Sequence, residues 1–305
     1  MEKCLITGST GFIGSRLAKC LDDLNYDILV VSRNPQSKYK SIICDLQNDE
    51  IPESILNGID VVFHLAGISH DSPNKKNYEN IYNKVNFDAT IRLAKASMLN
   101  NVKKFIFVSS VKAGGSSIQG QLMNENSDSM PEGVYGKSKR KAELGLLKIA
   151  QQSSMIISII RPALVYGPDV KGNLGKMISG INAGWFPPLP ETGNSRSMIH
   201  VDDLVHAILF VVNNKHTNRE IFIATDGEFY SSRKIYEIIS FSLNKSVSSW
   251  SVPKAFFDLA ASTSFNIRYK INKIMGDEMY SSKKLQLLGF SAQKKLKDIN
   301  QSSFQ

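Results

Sequence analysis

The sequence predicts an α/β protein with a doubly wound parallel sheet and a smaller lobe towards the end of the chain. Three observations lead to this prediction. Short apolar runs alternate with segments of helical periodicity over residues 1–164, a glycine-rich turn joins the first run to the first helix, and residues 167–195 are instead rich in glycine and proline. Strands that alternate with helices form parallel sheets covered by helices on both faces.

The expected elements follow from the same patterns. Apolar runs predict strands at residues 3–7, 27–31, 42–44, 60–64, 104–108, 155–160, 197–201 and 220–224. Helical periodicity predicts helices at residues 77–99, 135–152, 174–182, 202–212 and 231–243. We therefore expect residues 1–164 and 197–224 to form the sheet domain, and residues 165–196 and 225–305 to form the smaller lobe.

The composition of the 305-residue chain is that of an ordinary globular protein, with 42% hydrophobic and 21% charged residues. Its formal net charge of +9 would suit an acidic substrate, a phosphate-rich cofactor or an anionic membrane surface. Nucleic acid is disfavoured as a partner because the aromatic residues do not alternate with the basic ones. Cys4, Cys20 and Cys44 lack metal-ligand spacing, and neither a secretion signal nor a membrane-spanning apolar run is found. We expect a cytoplasmic protein without a metal or an integral membrane segment.

The turn after the first strand has three regularly spaced glycines, Gly8, Gly11 and Gly14. This spacing between a strand and a helix is typical of the dinucleotide-binding Rossmann fold. The glycines let the backbone approach a pyrophosphate, and the helix N-terminus favours its negative charge. A merely tight turn is the alternative, but the βαβ context favours a dinucleotide cofactor.

The end of the second strand indicates which dinucleotide is preferred. NAD-selective sites place a carboxylate there to hold the ribose 2′-hydroxyl, whereas this chain has Ser32 and Arg33, which would accommodate a 2′-phosphate. We therefore expect NADP(H), with NAD(H) as the alternative. A solvated arginine in the turn before Pro35 is the other explanation of Arg33.

Further cofactor contacts are expected at the ends of other strands. Asp45 could accept a hydrogen bond from the adenine amine, and Ala66 and Gly67 are small enough for the ribose and phosphates to pass close to the backbone. Asn86 has low helix propensity within a predicted helix, which favours a hydrogen-bonding role. The expected set is completed by Thr10, Phe12, Ile13, Leu46, Leu65, Ser109, Arg161 and Pro162.

Tyr135 and Lys139 are four residues apart near the start of a predicted helix, so they share one face of it. Moving a tyrosine pKa from about 10 to about 7 requires roughly 4 kcal/mol in favour of the phenolate. A neighbouring ammonium and a positively charged nicotinamide ring could supply this. Alone, the two residues would be an ordinary surface pair; beside a dinucleotide they predict a proton-transfer pair that also contacts the cofactor.

Together, the segments TGSTGFIG, FHLAG, FIFVSS, YGKSK, RPALVYGP and RSMIHVDDL resemble those of the extended short-chain dehydrogenases/reductases that act on nucleotide sugars. The resemblance covers nearly all of the chain. It implies that Ser110 completes a Ser/Tyr/Lys catalytic set, with Ser109 the less favoured choice. It also implies a homodimer formed by two helices of the sheet domain, here residues 77–99 and 135–152.

The resemblance also implies a UDP-sugar substrate and residues that bind it. Asn173 matches an asparagine that approaches the nucleotide diphosphate, and Arg196 matches an arginine that clamps its phosphates. A guanidinium group suits that role because its fork of donors fits phosphate oxygens. Ser110 and Lys112 are the other expected substrate contacts.

Within this family, residues 109–115 look closer to NADPH-dependent 4-reductases of UDP-4-keto-6-deoxy-N-acetylhexosamines than to 4-epimerases. Such reductases serve surface-polysaccharide synthesis, as in O-antigen or capsule. Tyr135 would deliver a proton to the sugar C4 oxygen, with Lys139 lowering its pKa and Ser110 donating a hydrogen bond to the same oxygen. A UDP-sugar 4-epimerase with retained NAD is the alternative. A 4,6-dehydratase is disfavoured by Val111, and a non-catalytic dinucleotide sensor by the complete catalytic set.

Residues 252–274 combine apolar and basic side chains in a predicted amphipathic stretch. Such a stretch could touch an anionic membrane surface. The packed face of a terminal helix is the favoured explanation.

Overall fold

The structure is a computed structural model of the chain, and it describes residues 1–49, 51–69, 78–115, 120–127, 129–131, 133–247 and 249–299. The chain divides into two compact units. Unit 1 comprises Met1–Ser116, Glu125–Pro162 and Leu204–Ala224, and unit 2 comprises Ser117–Asn124, Ala163–Asp203 and Thr225–Gln305.

The strands and helices are numbered in chain order. The strands are β1 (Lys3–Thr7), β2 (Asp27–Ser32), β3 (Lys40–Ile43), β4 (Val61–His64), β5 (Lys104–Val108), β6 (Ile156–Pro162), β7 (Leu164–Tyr166), β8 (Arg196–His200), β9 (Glu220–Ala224) and β10 (Phe229–Tyr230). The α-helices are α1 (Phe12–Asp23), α2 (Tyr78–Tyr82), α3 (Ala89–Leu99), α4 (Gly133–Gln151), α5 (Gly172–Asn182), α6 (Val201–Asn213), α7 (Ser232–Ser242), α8 (Lys254–Thr263), α9 (Phe265–Met275) and α10 (Lys283–Leu287). Asn83–Asp88 form a π-helix, and Glu53–Leu56, Val111–Gly114, Lys215–Thr217 and Leu296–Asp298 form 3₁₀ turns.

Unit 1 contains a seven-stranded sheet in the order β3-β2-β1-β4-β5-β6-β9, with all neighbours parallel. The order reverses between β1 and β4, whose last residues Thr7 and His64 lie in register. Parallel doubly wound sheets bind ligands outside the carboxyl ends of the strands at this reversal. The doubly wound Rossmann sheet predicted from the sequence is therefore confirmed.

The core of unit 1 is formed by the strands and by the helices packed on them. Leu5, Val62, Phe105 and Ile157 are fully buried on four different strands, because parallel strands covered on both faces are apolar throughout. The helices α3 and α4 contribute the buried side chains Leu93, Ala94, Ala142 and Leu146. This packing fixes the carboxyl ends of the strands relative to α4.

Unit 2 contains a three-stranded sheet, in which β8 pairs with β7 in parallel and with β10 in antiparallel orientation. Its core includes Tyr166, Met198, Tyr230 and Ile239, and the helices α5 and α7 pack against each other. Residues 197–203, expected in the sheet domain, belong to unit 2 because β8 pairs with β7 and β10 and not with the larger sheet.

Several observed elements differ from the expected ones at their ends or along their length. The strands at residues 104–108 and 220–224 have the expected bounds, whereas β6 continues two residues further, to Pro162. The long helix expected at residues 77–99 is interrupted by the π-helix, and residue 77 lies outside the described residues. π-Helical turns inside α-helices often mark functional positions.

Candidate active site

The glycine-rich turn between β1 and α1 leaves no room for side chains. Gly8 has a φ of 77°, and a Cβ atom there would lie 2.7 Å from the backbone nitrogen of Ala66. A Cβ atom on Gly14 would lie 2.1 Å from the carbonyl oxygen of Gly8. That oxygen also accepts a hydrogen bond of 3.0 Å from the amide of Gly11. Side chains at Gly8 or Gly14 would therefore require backbone movement.

The N-terminus of α1 faces this turn with the features of an anion site. Its N-cap, Gly11, provides no side-chain cap, so the first amides of the helix can donate to an anion. The hydroxyl of Ser9 is buried and, among the described residues, has no hydrogen-bond partner. A buried polar group without a partner costs about 1–3 kcal/mol, which a bound polar ligand would offset. These residues fit the pyrophosphate of a dinucleotide; Thr10, Phe12 and Ile13 lie in the same segment, partly or fully exposed.

The residues expected near the adenosine half of the cofactor follow β2 and β3. Ser32 ends β2 and donates to the carbonyl oxygen of Asn34 at 2.5 Å, and Arg33 is exposed directly after it. The Asp45 carboxylate accepts hydrogen bonds from the Gln47 amide at 3.1 Å and from the Asn48 side chain at 2.8 Å. Leu46 is buried in the core of unit 1.

His64, at the end of β4, is a core residue. Its Nδ1 lies 2.6 Å from Thr7 Oγ1, and its Nε2 lies 2.8 Å from Thr90 Oγ1. Thr90 donates its own proton to the carbonyl oxygen of Asn86, so we assign the ring proton to Nε2 and the acceptor role to Nδ1. Burial, with a smaller contribution from Lys139, lowers the pKa of His64 to about 3. The neutral imidazole thus links β1, β4 and α3.

Asn86, in the π-helix, holds the loop after β4 against α4. Its side chain accepts from the Ile68 amide at 2.8 Å and donates to the Ile68 carbonyl oxygen and to Ser138 Oγ, each at 3.0 Å. Gly67 precedes Ile68, and a Cβ atom on it would lie 3.0 Å from Asn86 Oδ1 and 3.2 Å from Lys139 Nζ. The half-buried Leu65 and Ala66 complete this loop. Asn86 therefore positions the loop beside Lys139.

Lys139 is the buried cation of the site. Its Nζ donates to the carbonyl oxygen of Val108 at 3.0 Å and lies 4.5 Å from the centroid of the Phe107 ring. Burial lowers its pKa from 10.5 to about 8, and the charge of Glu143 partly opposes this shift. A desolvated ammonium at the end of β5 is a strong source of positive potential for any acidic group nearby.

Tyr135 lies on α4 one turn before Lys139 and is half-buried. Its ring and the ring of Tyr82 are in T-shaped contact, with 6.4 Å between the ring centroids. Ser138 Oγ donates to the Tyr135 carbonyl oxygen at 2.8 Å while accepting from Asn86, so the backbone of this first turn is held in place. The predicted sharing of one helix face by Tyr135 and Lys139 follows from the helix that the structure shows.

Ser110 begins the 3₁₀ turn that follows β5. Its Oγ accepts a hydrogen bond of 3.2 Å from the amide of Lys112, which is half-buried on the same turn. The neighbouring Ser109 is buried, and its hydroxyl has no hydrogen-bond partner among the described residues. A Cβ atom on Gly136 would lie 2.5 Å from the Lys112 carbonyl oxygen, so Gly136 lets this turn pack directly on α4. The structure thus brings the Ser110 turn to the helix of Tyr135 and Lys139.

Arg161, expected to contact the cofactor, is instead fully buried in unit 1. Its Nε and Nη2 donate to the two carboxylate oxygens of Glu143 at 2.9 and 2.6 Å. Its Nη1 has no hydrogen-bond partner among the described residues, and a Cβ atom on Gly114 would lie 2.8 Å from it. Arg161 therefore links α4, β6 and the end of the Ser110 turn. Pro162 ends β6 in register with Ala224.

The expected substrate residues of unit 2 have different environments. Asn173 is exposed in the first turn of α5. Arg196 is buried; it donates to the carbonyl oxygens of Lys273, Ile274 and Gly276 and pairs with Glu278 at 3.0 Å. To bind a phosphate, Arg196 would have to exchange some of these contacts.

Sequence reasoning missed three residues that shape the site: Gly114, Gly136 and Glu143. Gly136 and Glu143 flank Lys139 at positions −3 and +4, so they lie on or near its face of α4. A glutamate one turn after the predicted proton-transfer lysine was the available signal for Glu143, and a glycine inside a predicted helix was the signal for Gly136.

Similar proteins point to a single family. Residues 4–224 match the family model of the NAD dependent epimerase/dehydratase family. The UDP-glucose 4-epimerase of Vibrio cholerae is 33% identical over 262 residues, which cover 83% of this chain and 78% of that protein. The N-acetyl-alpha-D-glucosaminyl-diphospho-ditrans,octacis-undecaprenol 4-epimerase of Escherichia coli O157:H7 is 28% identical over 257 residues, covering 83% of this chain and 76% of that protein.

A solved structure supports the fold. The UDP-glucuronic acid 4-epimerase from Bacillus cereus in complex with NAD matches with a TM-score of 0.79 and 20% identity, covering 99% of this chain and 94% of that chain. The glycine turn, the Ser/Tyr/Lys set and the relative at 33% identity all indicate the same family. The chain belongs to the NAD-dependent epimerase/dehydratase family and is an enzyme of the short-chain dehydrogenase/reductase type.

Proposed function

We propose that this protein is a nucleotide-sugar 4-epimerase that retains NAD through its catalytic cycle. The observation that carries the proposal is the buried Lys139, held by the Val108 carbonyl oxygen one turn after Tyr135, in a chain 33% identical to a UDP-glucose 4-epimerase. The glycine turn and the unpartnered Ser9 and Ser109 hydroxyls in the described chain support a dinucleotide beside this set.

Side chains of this protein would transfer the proton of the sugar C4 hydroxyl and stabilise the charge on the C4 oxygen. When bound, the dinucleotide supplies a hydride acceptor that later returns the hydride. Tyr135, as a phenolate, would take the proton of the C4 hydroxyl and return it to the C4 oxygen once the opposite face of the sugar is presented. Lys139 would favour the phenolate through its charge, and Ser110 would donate a hydrogen bond to the C4 oxygen. Because the proton and hydride are both returned, the reaction has no net redox change.

The sugar acceptor is proposed from the relatives' names. The Vibrio cholerae relative acts on UDP-glucose, and the Escherichia coli relative acts on an N-acetylglucosaminyl diphosphate carried on undecaprenol. Both names describe inversion at C4 of a sugar linked to a diphosphate. We propose UDP-hexoses or UDP-N-acetylhexosamines as the first substrates to test.

The decisive experiment separates retained cofactor from consumed cofactor. Purified protein is denatured and the extract is assayed for NAD, while native protein is incubated with UDP-glucose or UDP-N-acetylglucosamine and the sugar C4 configuration is followed by NMR. Stoichiometric NAD and interconversion of the C4 epimers without added cofactor are expected. An extract without dinucleotide, together with no epimer formed, would contradict the proposal.

The second candidate is an NADPH-dependent 4-reductase of a UDP-4-keto-6-deoxy-N-acetylhexosamine, acting in cytoplasmic surface-polysaccharide synthesis. One observation favours it: β2 ends with Ser32 followed by Arg33, and neither residue has a carboxylate. The exposed guanidinium of Arg33 could bind the 2′-phosphate of NADPH. The test measures the dissociation constants of NADPH and NADH for the parent protein and for Arg33→Ala. A preference for NADPH that is lost in Arg33→Ala would support the reductase, and a preference for NADH would eliminate it.

A further inference from the structure

Helices α8 and α9 of unit 2 present an unusual surface. On α8, none of the ten side chains is buried, and two large apolar ones are strongly exposed: Phe256 by 64% and Leu259 by 67%. Trp250, which precedes the helix by four residues, is exposed as well. Single exposed apolar residues are common on protein surfaces, but adjacent ones mark interaction sites. The expected packed face of a terminal helix therefore accounts for only part of α8, since Phe257 packs on the core while Phe256 and Leu259 are exposed.

Helix geometry separates the exposed apolar side chains from the side that packs. Phe256 and Leu259 are three residues apart and share one face. Phe257 points about 100° away from Phe256 and packs on the core of unit 2. Asp258 follows Phe256 by two residues and so lies about 200° around the helix. The apolar face thus points away from both the core and the acidic side chain.

Helix α9, which packs against α8, carries exposed cationic groups. The two helices pack against each other, and Arg268 Nε donates to the Ala261 carbonyl oxygen of α8 at 3.2 Å. Ile267, Arg268 and Lys270 are exposed. Between residues 245 and 275 the sequence has five basic residues, Lys245, Lys254, Arg268, Lys270 and Lys273, and one acidic residue, Asp258.

We propose that Phe256 and Leu259 of α8, with Ile267, Arg268 and Lys270 of α9, form a docking face for an anionic lipid bilayer. Exposed aromatic and aliphatic side chains next to lysine and arginine are the composition of helices that lie in a membrane interface. Protein interfaces are instead depleted in lysine, which argues against a second copy of the chain as the occupant. No described helix is long and apolar enough to cross a membrane. The inference does not depend on the epimerase proposal.

The test uses the full-length protein and sucrose-loaded vesicles at low ionic strength. Vesicles of phosphatidylcholine are compared with vesicles that also contain phosphatidylglycerol. We expect sedimentation with the anionic vesicles, weakened about ten-fold or more by Phe256→Ser combined with Leu259→Ser. Lys270→Glu should weaken it about five-fold or more. The matched control combines Leu24→Ser with Leu99→Ser, two exposed leucines of unit 1, and should sediment as the parent protein does.

Thermal midpoints and molar masses distinguish loss of membrane binding from loss of folding or of self-association. All variants replace exposed side chains, so their thermal midpoints should match that of the parent protein. Failure of the parent protein to sediment with anionic vesicles, or unchanged sedimentation of the α8 variant, would overturn the proposal. A lower molar mass of the α8 variant by light scattering would also overturn it, because a second copy would then cover the face.

Discussion

At the residue scale, the candidate site contains one lysine, Lys139, whose burial favours loss of its proton. The Lys139 ammonium donates to one backbone carbonyl oxygen and lies over one aromatic ring, and burial lowers its pKa to about 8. Near neutral pH the ammonium form still predominates, so its charge remains available to Tyr135. The same burial makes the lysine costly for folding.

Tyr135→Phe tests the proposed proton transfer. The variant keeps the ring but lacks the hydroxyl, so turnover should fall by about 10²- to 10⁴-fold while KM changes little. Steady-state kinetics on the epimerisation measure this. Tyr82→Phe is the control, because it keeps the ring that contacts Tyr135, and this variant should keep near-parental turnover. Near-full activity of Tyr135→Phe would eliminate Tyr135 as the acid and base.

The lowered pKa of Lys139 predicts that the free energy of unfolding depends on pH. Its pKa is about 8 in the folded protein and 10.5 ordinarily, so between these values the unfolded chain binds more protons. The free energy of unfolding should therefore rise with pH across this window, by roughly 3 kcal/mol in total, and the unfavourable contribution should be constant below it. Urea unfolding of cofactor-free protein and of Lys139→Met gives the difference between the two curves. Parallel curves would show that Lys139 is not desolvated as described.

At the element scale, three contacts with neighbouring elements fix the position of α4, the helix of Tyr135 and Lys139. The Ser110 turn packs on it at Gly136, the loop after β4 is tied to it through Asn86 and Ser138, and β6 is tied to it by the ion pair of Arg161 and Glu143. A buried ion pair is weak evidence for stability, but loss of one partner leaves an uncompensated charge. The ion pair therefore acts mainly to hold α4 and β6 in one arrangement.

Gly136→Ala tests the contact between α4 and the Ser110 turn. Alanine alone would stabilise a helix interior by about 1 kcal/mol, but its Cβ atom would meet a backbone oxygen at 2.5 Å. We expect the turn to shift and turnover to fall by about ten-fold or more, because small misplacements of reacting groups are costly.

The control for this prediction is Gly145→Ala on the same helix. Its Cβ atom would meet the Ile91 Cδ1 atom at 2.5 Å, at the end of a flexible side chain that can move away. Turnover and thermal midpoint are measured for both variants. Equal turnover in the two variants would show that the contact at Gly136 does not position Ser110.

At the scale of the whole molecule, the two units contribute different expected functions. The glycine turn and Ser110, Tyr135 and Lys139 belong to unit 1, whereas the expected substrate residues Asn173 and Arg196 belong to unit 2. Each unit has its own buried core. The expected substrate residues Asn173 and Arg196 therefore belong to a different compact unit from the expected catalytic set.

The homodimer expected from the family resemblance is a testable property of the whole protein. Helices α3 and α4 pack together, and Leu144 of α4 is exposed. If these helices form the dimer interface, Leu144→Glu should convert the dimer to a monomer, because a charge would be buried without a partner. Light scattering measures the molar mass, with Leu24→Glu on α1's C-terminal end as the control. A monomeric parent protein would contradict the prediction.

The sequence by itself determined the sheet, the glycine turn and the shared helix face of Tyr135 and Lys139. These features are local: apolar periodicity sets strands and helices, and residues four apart on a helix share a face whatever surrounds them. The strand bounds at 104–108 agree to the residue for this reason.

Tertiary structure alone decided the roles that depend on distant partners. Three contacts join segments that are far apart in the chain. Arg161 pairs with Glu143, Arg196 is hydrogen-bonded to residues 273–278, and Gly136 packs directly on the Lys112 carbonyl oxygen. The exposed face of α8 was likewise hidden in the sequence, because amphipathic spacing does not say whether an apolar stripe meets a core or solvent. Whether a side chain serves the fold or a ligand is set by which neighbours the fold brings to it.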